Sequence, residues 1–193
     1  MGYALIYYMD KKYVKSTSVS IGLSNPKSPE NVESVLRLAG NFSADSVYFS
    51  GNRYPRAAKL KPCTVDMSRK VSVDIPLIQV DDFFDDAIVD MPVDLKIVCV
   101  EFAENAILLP EYQHPTNALY IFGPEDSTIS QQLIDRADDV VYIPTVSSMN
   151  LSATVSVVLY DRLAKSSQGT AAGAGGNDFI CQSRDVNNSL KVS

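Results

Sequence analysis

Two polar loops in this chain each follow a short apolar run and lead into a helical pattern, an arrangement that brings several polar groups to one place. Gly123-Pro124-Glu125-Asp126-Ser127 follows Ala118 to Phe122 and precedes a helix expected at about Ile129 to Arg136. It combines a tight turn, two acids and a helix N-terminus; in the plainer reading it is a turn whose Ser127 or Asp126 caps the helix. The second loop lies within Val140 to Asp161, VVYIPTVSSMNLSATVSVVLYD, which reads as a short strand, a proline, a polar turn and a small-residue helix. Asn150 is placed to cap that helix, and Leu151, Val155, Val158, Leu159 and Leu163 recur at the spacing of one buried face. Small Ser152, Ala153 and Ser156 beside that face would let another backbone approach closely. A third group is basic: Arg53, Arg56, Lys59, Lys61, Arg69 and Lys70 stand against a single acid, Asp66. Such a run suits phosphate, or is a solvated surface.

Other chemistries are poorly served. With one histidine, His114, and three widely spaced cysteines, Cys63, Cys99 and Cys181, the chain offers no recognisable zinc constellation, and no metal is expected. The odd cysteine count, with Cys99 inside an apolar run, implies a reducing, cytoplasmic setting. The formal net charge of −6 argues mildly against nucleic acid, although the basic run survives it as a local patch. MGYALIYYM is too short for a membrane span and is followed by Asp10, Lys11 and Lys12, so neither a signal peptide nor an anchor is expected.

The elements that would position these loops alternate along the chain. A length of 193 residues suits one compact domain, expected over residues 17–165. Residues 1–16, with Tyr3, Tyr7, Tyr8 and Tyr13, form an extension, and residues 166–193 form a Gly/Ala-rich linker and tail. Val19 to Leu23 reads as a buried strand ending at Ser24-Asn25-Pro26. Ser28-Pro29-Glu30 opens a helix with its core face at Val32, Val35, Leu36 and Ala39 and a plausible stop at Gly40. Arg37 lies roughly 140° around that helix from Val32, pointing away from the core. Further strands are expected at Ser46 to Ser50, Val71 to Ile75, Leu95 to Val100, Ala118 to Phe122 and Val140 to Ile143, with a helix at Asp81 to Ala87. The alternation implies an α/β domain with a mostly parallel sheet flanked by helices, whose ligands sit beyond the carboxyl ends of strands. The loops after Leu23, Phe122 and Ile143 are therefore the ones to watch.

Taken as an ordered set, three stretches resemble the SpoU/TrmH branch of the SPOUT methyltransferases. NPKSPENVESVLR (Asn25 to Arg37) looks like its first motif, whose Asn and Arg stand six apart as Asn31 and Arg37 do. IFGPEDSTIS (Ile121 to Ser130) looks like the second and IPTVSSMNLSATVSVVLYD (Ile143 to Asp161) like the third. The resemblance covers roughly residues 17–164. It implies a deep trefoil knot in the last part of the domain, a homodimer whose two subunits build the site, and S-adenosyl-L-methionine as cofactor. It also implies methyl transfer to a ribose 2′-hydroxyl of RNA, with tRNA favoured over rRNA. On the same resemblance, Asn31, Arg37, Glu125, Ser148 and Asn150 are the catalytic candidates. Phe122, Gly123, Pro124, Glu125, Ile143, Asn150, Leu151 and Ser152 would hold the cofactor, and Arg53, Arg56, Lys59 and Lys61 would meet RNA phosphates. A catalytically inactive RNA-binding or interaction protein on the same fold is the other reading.

Overall fold

A computed structural model describes residues 17–60, 75–85, 92–166, 176–184 and 187–192. Its centre is a seven-stranded sheet in which every recorded pairing is parallel. The strands are β1 (Ser18–Leu23), β2 (Ser46–Phe49), β3 (Leu77–Gln79), β4 (Lys96–Val100), β5 (Ile107–Leu108), β6 (Asn117–Phe122) and β7 (Asp139–Tyr142), in the order β3-β2-β1-β6-β4-β7-β5. The last strands interleave, β6 entering between β1 and β4 and β7 between β4 and β5.

The near-continuous apolar runs of β4 and β6 follow from burial on both faces. Alternate residues serve two cores. Ile21, Leu23, Val98, Val100, Tyr120, Phe122 and Val141 pack under α1 (Pro29–Asn41) and α4 (Leu151–Lys165). Cys99, Leu119 and Ile121 face Phe83, Ile129 and the flank of α3 (Gln131–Arg136). Gly22 lies on this second face, where an added Cβ would come within 3.0 Å of the Phe83 ring.

The first helix begins as the sequence implies: the Ser28 side chain accepts from the Asn31 amide, Pro29 is the first helical residue, and Val32, Val35, Leu36 and Ala39 are buried. Its end differs. Gly40 stays inside the helix, and the left-handed position falls on Ser43 at φ 56°, where the Ala44 amide closes back on the Ala39 carbonyl at 2.8 Å. In the β-α-β unit that follows, the helix is α2 (Arg53–Leu60), built from the first part of the basic run.

The strand expected over 71–75 lies, but for Ile75, outside the described residues; Ile75 is in a bend, and β3 begins after Pro76. Proline has no amide hydrogen to give a ladder but retains its carbonyl, which accepts from Val47 at 2.9 Å. The helix expected at 81–87 is a turn over its described residues, 81–85: the Asp82 carboxylate accepts the Phe84 amide at 3.1 Å, replacing a helical bond with a local one. Helix α3 starts at Gln131, capped by Ser130 and not by Ser127 or Asp126. The short β5, a 3-10 turn at Leu109–Glu111, and α5 (Asn177–Ser183) were not anticipated. The N-terminal extension and residues 167–175 of the linker lie outside the described residues.

A polar clamp fixes the second half of α4. His114, with only 5% of its side chain exposed, lies between the Tyr120 hydroxyl (Nδ1, 2.7 Å) and the Asp161 carboxylate (Nε2, 2.8 Å). A neutral ring carrying its proton on Nε2 satisfies both contacts, because Nδ1 can then accept from Tyr120 while Tyr120 accepts from Arg162. Lys165 pairs with Asp161 at 2.7 Å and also donates to the Leu109 and Tyr112 carbonyls. Tyr112 donates in turn to Asp139.

Burial lowers the His114 pKa below its ordinary value of 6.5; the Asp161 hydrogen bond and charge oppose this, whereas Arg162 and Lys165 add to it. The unfolded chain therefore binds the proton more readily. The His114 contribution to stability is complete above about pH 6.5 and is lost as pH falls toward the folded pKa. Urea unfolding should show stability declining as pH falls below about 6.5, before the carboxylates begin to titrate. His114→Gln should flatten that decline and cost about 1–3 kcal/mol at neutral pH.

Candidate active site

The carboxyl ends of β4, β6 and β7 open into a cavity of about 460 Å³. That volume lies within the range typical of small-molecule sites. Phe122 and Leu151, 1% and 5% exposed, give it an apolar floor, with Val100 and Ile143 beside them. Its polar lining includes Glu101, Glu125, Asp126, Ser127, Thr128, Thr145, Ser148 and Thr154. The rings of Phe102 and Tyr142, 6.2 Å apart, also line it.

At the edge of this cavity three loops are tied by one polar bridge. The Asn150 side-chain carbonyl accepts from the Ser152 and Ala153 amides at the start of α4, and its NH2 donates to Asn31 Oδ1 at 3.0 Å. Asn31 Nδ2 donates to Glu125 Oε1 at 2.9 Å. The same carboxylate accepts the backbone amides of Lys27 (2.8 Å) and Ser28 (3.0 Å) as the chain turns into α1. Desolvation alone would raise the Glu125 pKa, but the hydrogen bonds from Asn31, Ser28 and Lys27 outweigh it and hold the carboxyl below its usual range. Glu125 is therefore a fixed anion at neutral pH.

The neighbouring acid, Asp126, takes two cations on one oxygen, Arg53 at 2.7 Å and Lys27 at 3.2 Å. Hydrogen bonds from Arg53 and then Lys27 pull its pKa down to about 2. Asp126 thus holds two ion pairs in the loop, ahead of the Ser130 cap at which α3 begins. Glu101 braces the loop from the other side, accepting the amides of Phe102 and Ile129, both at 2.9 Å. A Cβ at Gly123 would lie 3.1 Å from Glu101 Oε2 and 3.3 Å from the Ile129 side chain, a tight fit that would press on the Glu101 brace.

Of the residues proposed from sequence, Phe122, Gly123, Pro124, Glu125, Ile143, Ser148 and Leu151 line the cavity. Asn31, Asn150 and Ser152 stand beside it in the bridge and the α4 cap. Arg37 is exposed on α1, with no ion pair or hydrogen bond to a described residue, and is not part of the lining. It lies six residues beyond Asn31, about 9 Å along the axis and roughly 120° around it. Arg53 is paired with Asp126, Arg56 and Lys59 are exposed on α2, and Lys61 lies outside the described residues. Glu101, Phe102 and Tyr142 were missed. The available signal for Glu101 was its place immediately after the apolar run of Leu95 to Val100, at a strand's carboxyl end. Among the described residues no group of three or more His, Cys, Asp or Glu could hold a metal ion, and no helix is long and apolar enough to cross a membrane.

Fold, loop order and cavity define an α/β domain of the methyltransferase type suggested by the three motifs. The chain belongs to the SpoU rRNA Methylase family, whose profile matches residues 18–160. A comparison with curated proteins finds no match. Among solved structures, the SpoU methyltransferase AviRb from Streptomyces viridochromogenes, in complex with AdoMet, is 19% identical with a TM-score of 0.59, over 80% of this chain and 60% of that one. The A. aeolicus TrmH/SpoU tRNA modifying enzyme is 16% identical with a TM-score of 0.59, over 77% and 75% of the two chains. A structure concerned with the 2-OH methylation of C/U34 on tRNA is 21% identical with a TM-score of 0.61, over 78% of this chain and 97% of that one. These likenesses establish a shared fold. The chain spans about three-fifths of AviRb's length.

The bridge should behave as one unit. Asn31→Ala and Glu125→Ala, measured singly and together by urea unfolding, should couple by about 1 kcal/mol. Asn150→Asp should retain the α4 cap yet lose the donor to Asn31, while Asn150→Ala should lose both and cost about 1 kcal/mol more. Additive effects of Asn31 and Glu125 would show that the bridge carries no energy.

Proposed function

We propose that the chain is an S-adenosyl-L-methionine-dependent methyltransferase acting on a ribose 2′-hydroxyl of RNA, with tRNA the favoured substrate. The observation that carries this reading is the Asn150-Asn31-Glu125 bridge, which joins the three motif segments at the edge of one cavity. The lining suits the cofactor. Gly123 leaves open a cradle that a Cβ would narrow, the floor of Phe122, Ile143 and Leu151 is apolar, and Glu101 and Glu125 complement positive charge. S-Adenosylmethionine would supply a methyl group already activated by its sulfonium, so the chain's own task is to align an acceptor oxygen.

Within that scheme Pro124, Glu125 and Ser148 border the cofactor, while Asn150 and Ser152 fix the start of α4 beneath it. Arg37 binds phosphate and polarises the 2′-hydroxyl; a guanidinium stays protonated and works as a donor. Because Arg37 is off the cavity lining of its own chain, we assign it to the cavity of a second copy, in a homodimer. The interleaved strand order and the packing of α4 on α1 are compatible with the family's trefoil knot, and the location is taken as cytoplasmic. The favoured tRNA rests on length: the chain accounts for nearly all of the neighbour concerned with C/U34.

Tritiated methyl transfer to total tRNA and to rRNA tests the assignment and its substrate preference. Arg37→Ala should reduce transfer by about 10²-fold or more while leaving calorimetric cofactor affinity within about twofold. Retained turnover would remove Arg37 from the mechanism, and RNA binding without any transfer would favour a noncatalytic RNA-binding protein.

A further inference from the structure

The motif-two loop carries a second acid whose partners differ in kind from those of Glu125. Glu125 is seated by backbone amides and an amide side chain, a fixed arrangement. Asp126 instead gathers two long cationic side chains onto a single oxygen: Lys27, from the loop between β1 and α1, and Arg53, the first residue of α2 after β2. All three side chains are accessible, at 62% for Lys27, 31% for Arg53 and 47% for Asp126. They meet at the carboxyl edge of the adjacent strands β2, β1 and β6, and Asp126 itself lines the cavity.

Two cations converging on one exposed oxygen describe the geometry of an anion site with an internal occupant. A phosphate diester carries the same single negative charge as a carboxylate and offers two free oxygens. Arg and Lys bind it with charge-assisted hydrogen bonds. Exposed ion pairs are weak and screened, so the internal occupant can be displaced. The sequence marks Arg53 as one of several basic residues; the structure adds Lys27 and a competitor for both.

We propose that Lys27 and Arg53 form a phosphate-diester subsite for RNA beside the cavity, and that Asp126 is its exchangeable placeholder, holding the two cations in position until RNA takes its place. The inference rests on the reading that RNA is the substrate. The placeholder makes a distinctive demand: removing a negative charge at Asp126 must act only through Lys27 and Arg53. A general reduction in negative surface charge would act whether or not those cations were present.

Fluorescence anisotropy with a labelled single-stranded RNA of about a dozen nucleotides, between about 50 and 200 mM KCl and without cofactor, reads this directly. Asp126→Asn should tighten binding about threefold or more. Lys27→Gln with Arg53→Gln should weaken it about tenfold and reduce the salt slope by about 0.7, the contribution of one single-strand phosphate. Asp126→Asn added to that double variant should have no effect. The proposal is overturned if Asp126→Asn leaves binding unchanged or weaker, or if it tightens binding equally in the double variant. It is also overturned if inorganic phosphate displaces the strand at equal phosphate concentration, which would make this a free-anion site. Methyl transfer is measured separately. Absent transfer with the binding pattern intact defeats only the enzymatic reading, and transfer with a flat Asp126 response defeats only the subsite.

Discussion

The site depends on a directional chain of hydrogen bonds that ends in a carboxylate. Asn150 donates to Asn31, Asn31 donates to Glu125, and Glu125 gathers two further backbone amides from the entry to α1. Its members lie 94 and 119 residues apart in sequence. Each sits just beyond the carboxyl end of a different strand, β1, β6 or β7. The strands alone bring these loops to the same edge but do not set their spacing. Leu23 pairs with Phe122 in register, and the Ser24 amide continues the ladder to the Phe122 carbonyl at 2.9 Å. Beyond that point the bridge takes over from the sheet.

Amide side chains suit the two intermediate positions because each must donate on one side and accept on the other. Asn150 accepts the α4 amides through Oδ1 and donates through Nδ2. Aspartate there would keep the cap but bring a second negative charge toward Glu125. Asn31 passes the polarity onward, accepting from Asn150 and donating to the carboxylate. The two amides are therefore oriented by a network in which reversing Asn31 breaks two contacts and reversing Asn150 breaks four.

Much of this was legible in sequence because local and tertiary signals agreed. The apolar runs of β4 and β6, the Ser28-Pro29 entry to α1 and the Asn150 cap of α4 each follow from the same residues that pack or cap in the fold. The departures occur where a distant partner decides. Asp126 was a reasonable helix cap, but α3 begins later, at the Ser130 cap, and the acid pairs with Lys27 and Arg53, far away in sequence. Glu101 gains its place only when β4 and β6 lie side by side and Ile129 needs an acceptor. Over residues 81–85 the expected helix gives way to one Asp82 side-chain bond and to Arg136, which pairs with Asp82 and covers the Phe84 ring. His114 gave no sign that it would be buried between a tyrosine and an aspartate 47 residues away.

Charge is distributed more selectively than the net value of −6 conveys. Over the described part of residues 17–166, most cations are engaged: Lys96 with Asp138, Arg136 with Asp82, Lys165 with Asp161, Arg162 with backbone carbonyls, and Lys27 and Arg53 with Asp126. Those left without a described partner are Arg37 on α1 and Arg56 and Lys59 on α2, the first two helices of the chain. Long-range fields act through uncompensated charge, and compensated pairs contribute little beyond their own contact. Arg37 is outnumbered on α1 by Glu30 and Glu33, whereas α2 carries three cations and no acid, so a polyanion approaching this acidic chain is drawn to α2 and away from the acidic rim of the cavity. On the proposed function, the same separation lets one surface hold the RNA strand while the neighbouring acids receive a positively charged cofactor. The two ligands then meet at the boundary between the basic and acidic surfaces, where the bridge and the Asp126 ion pairs stand.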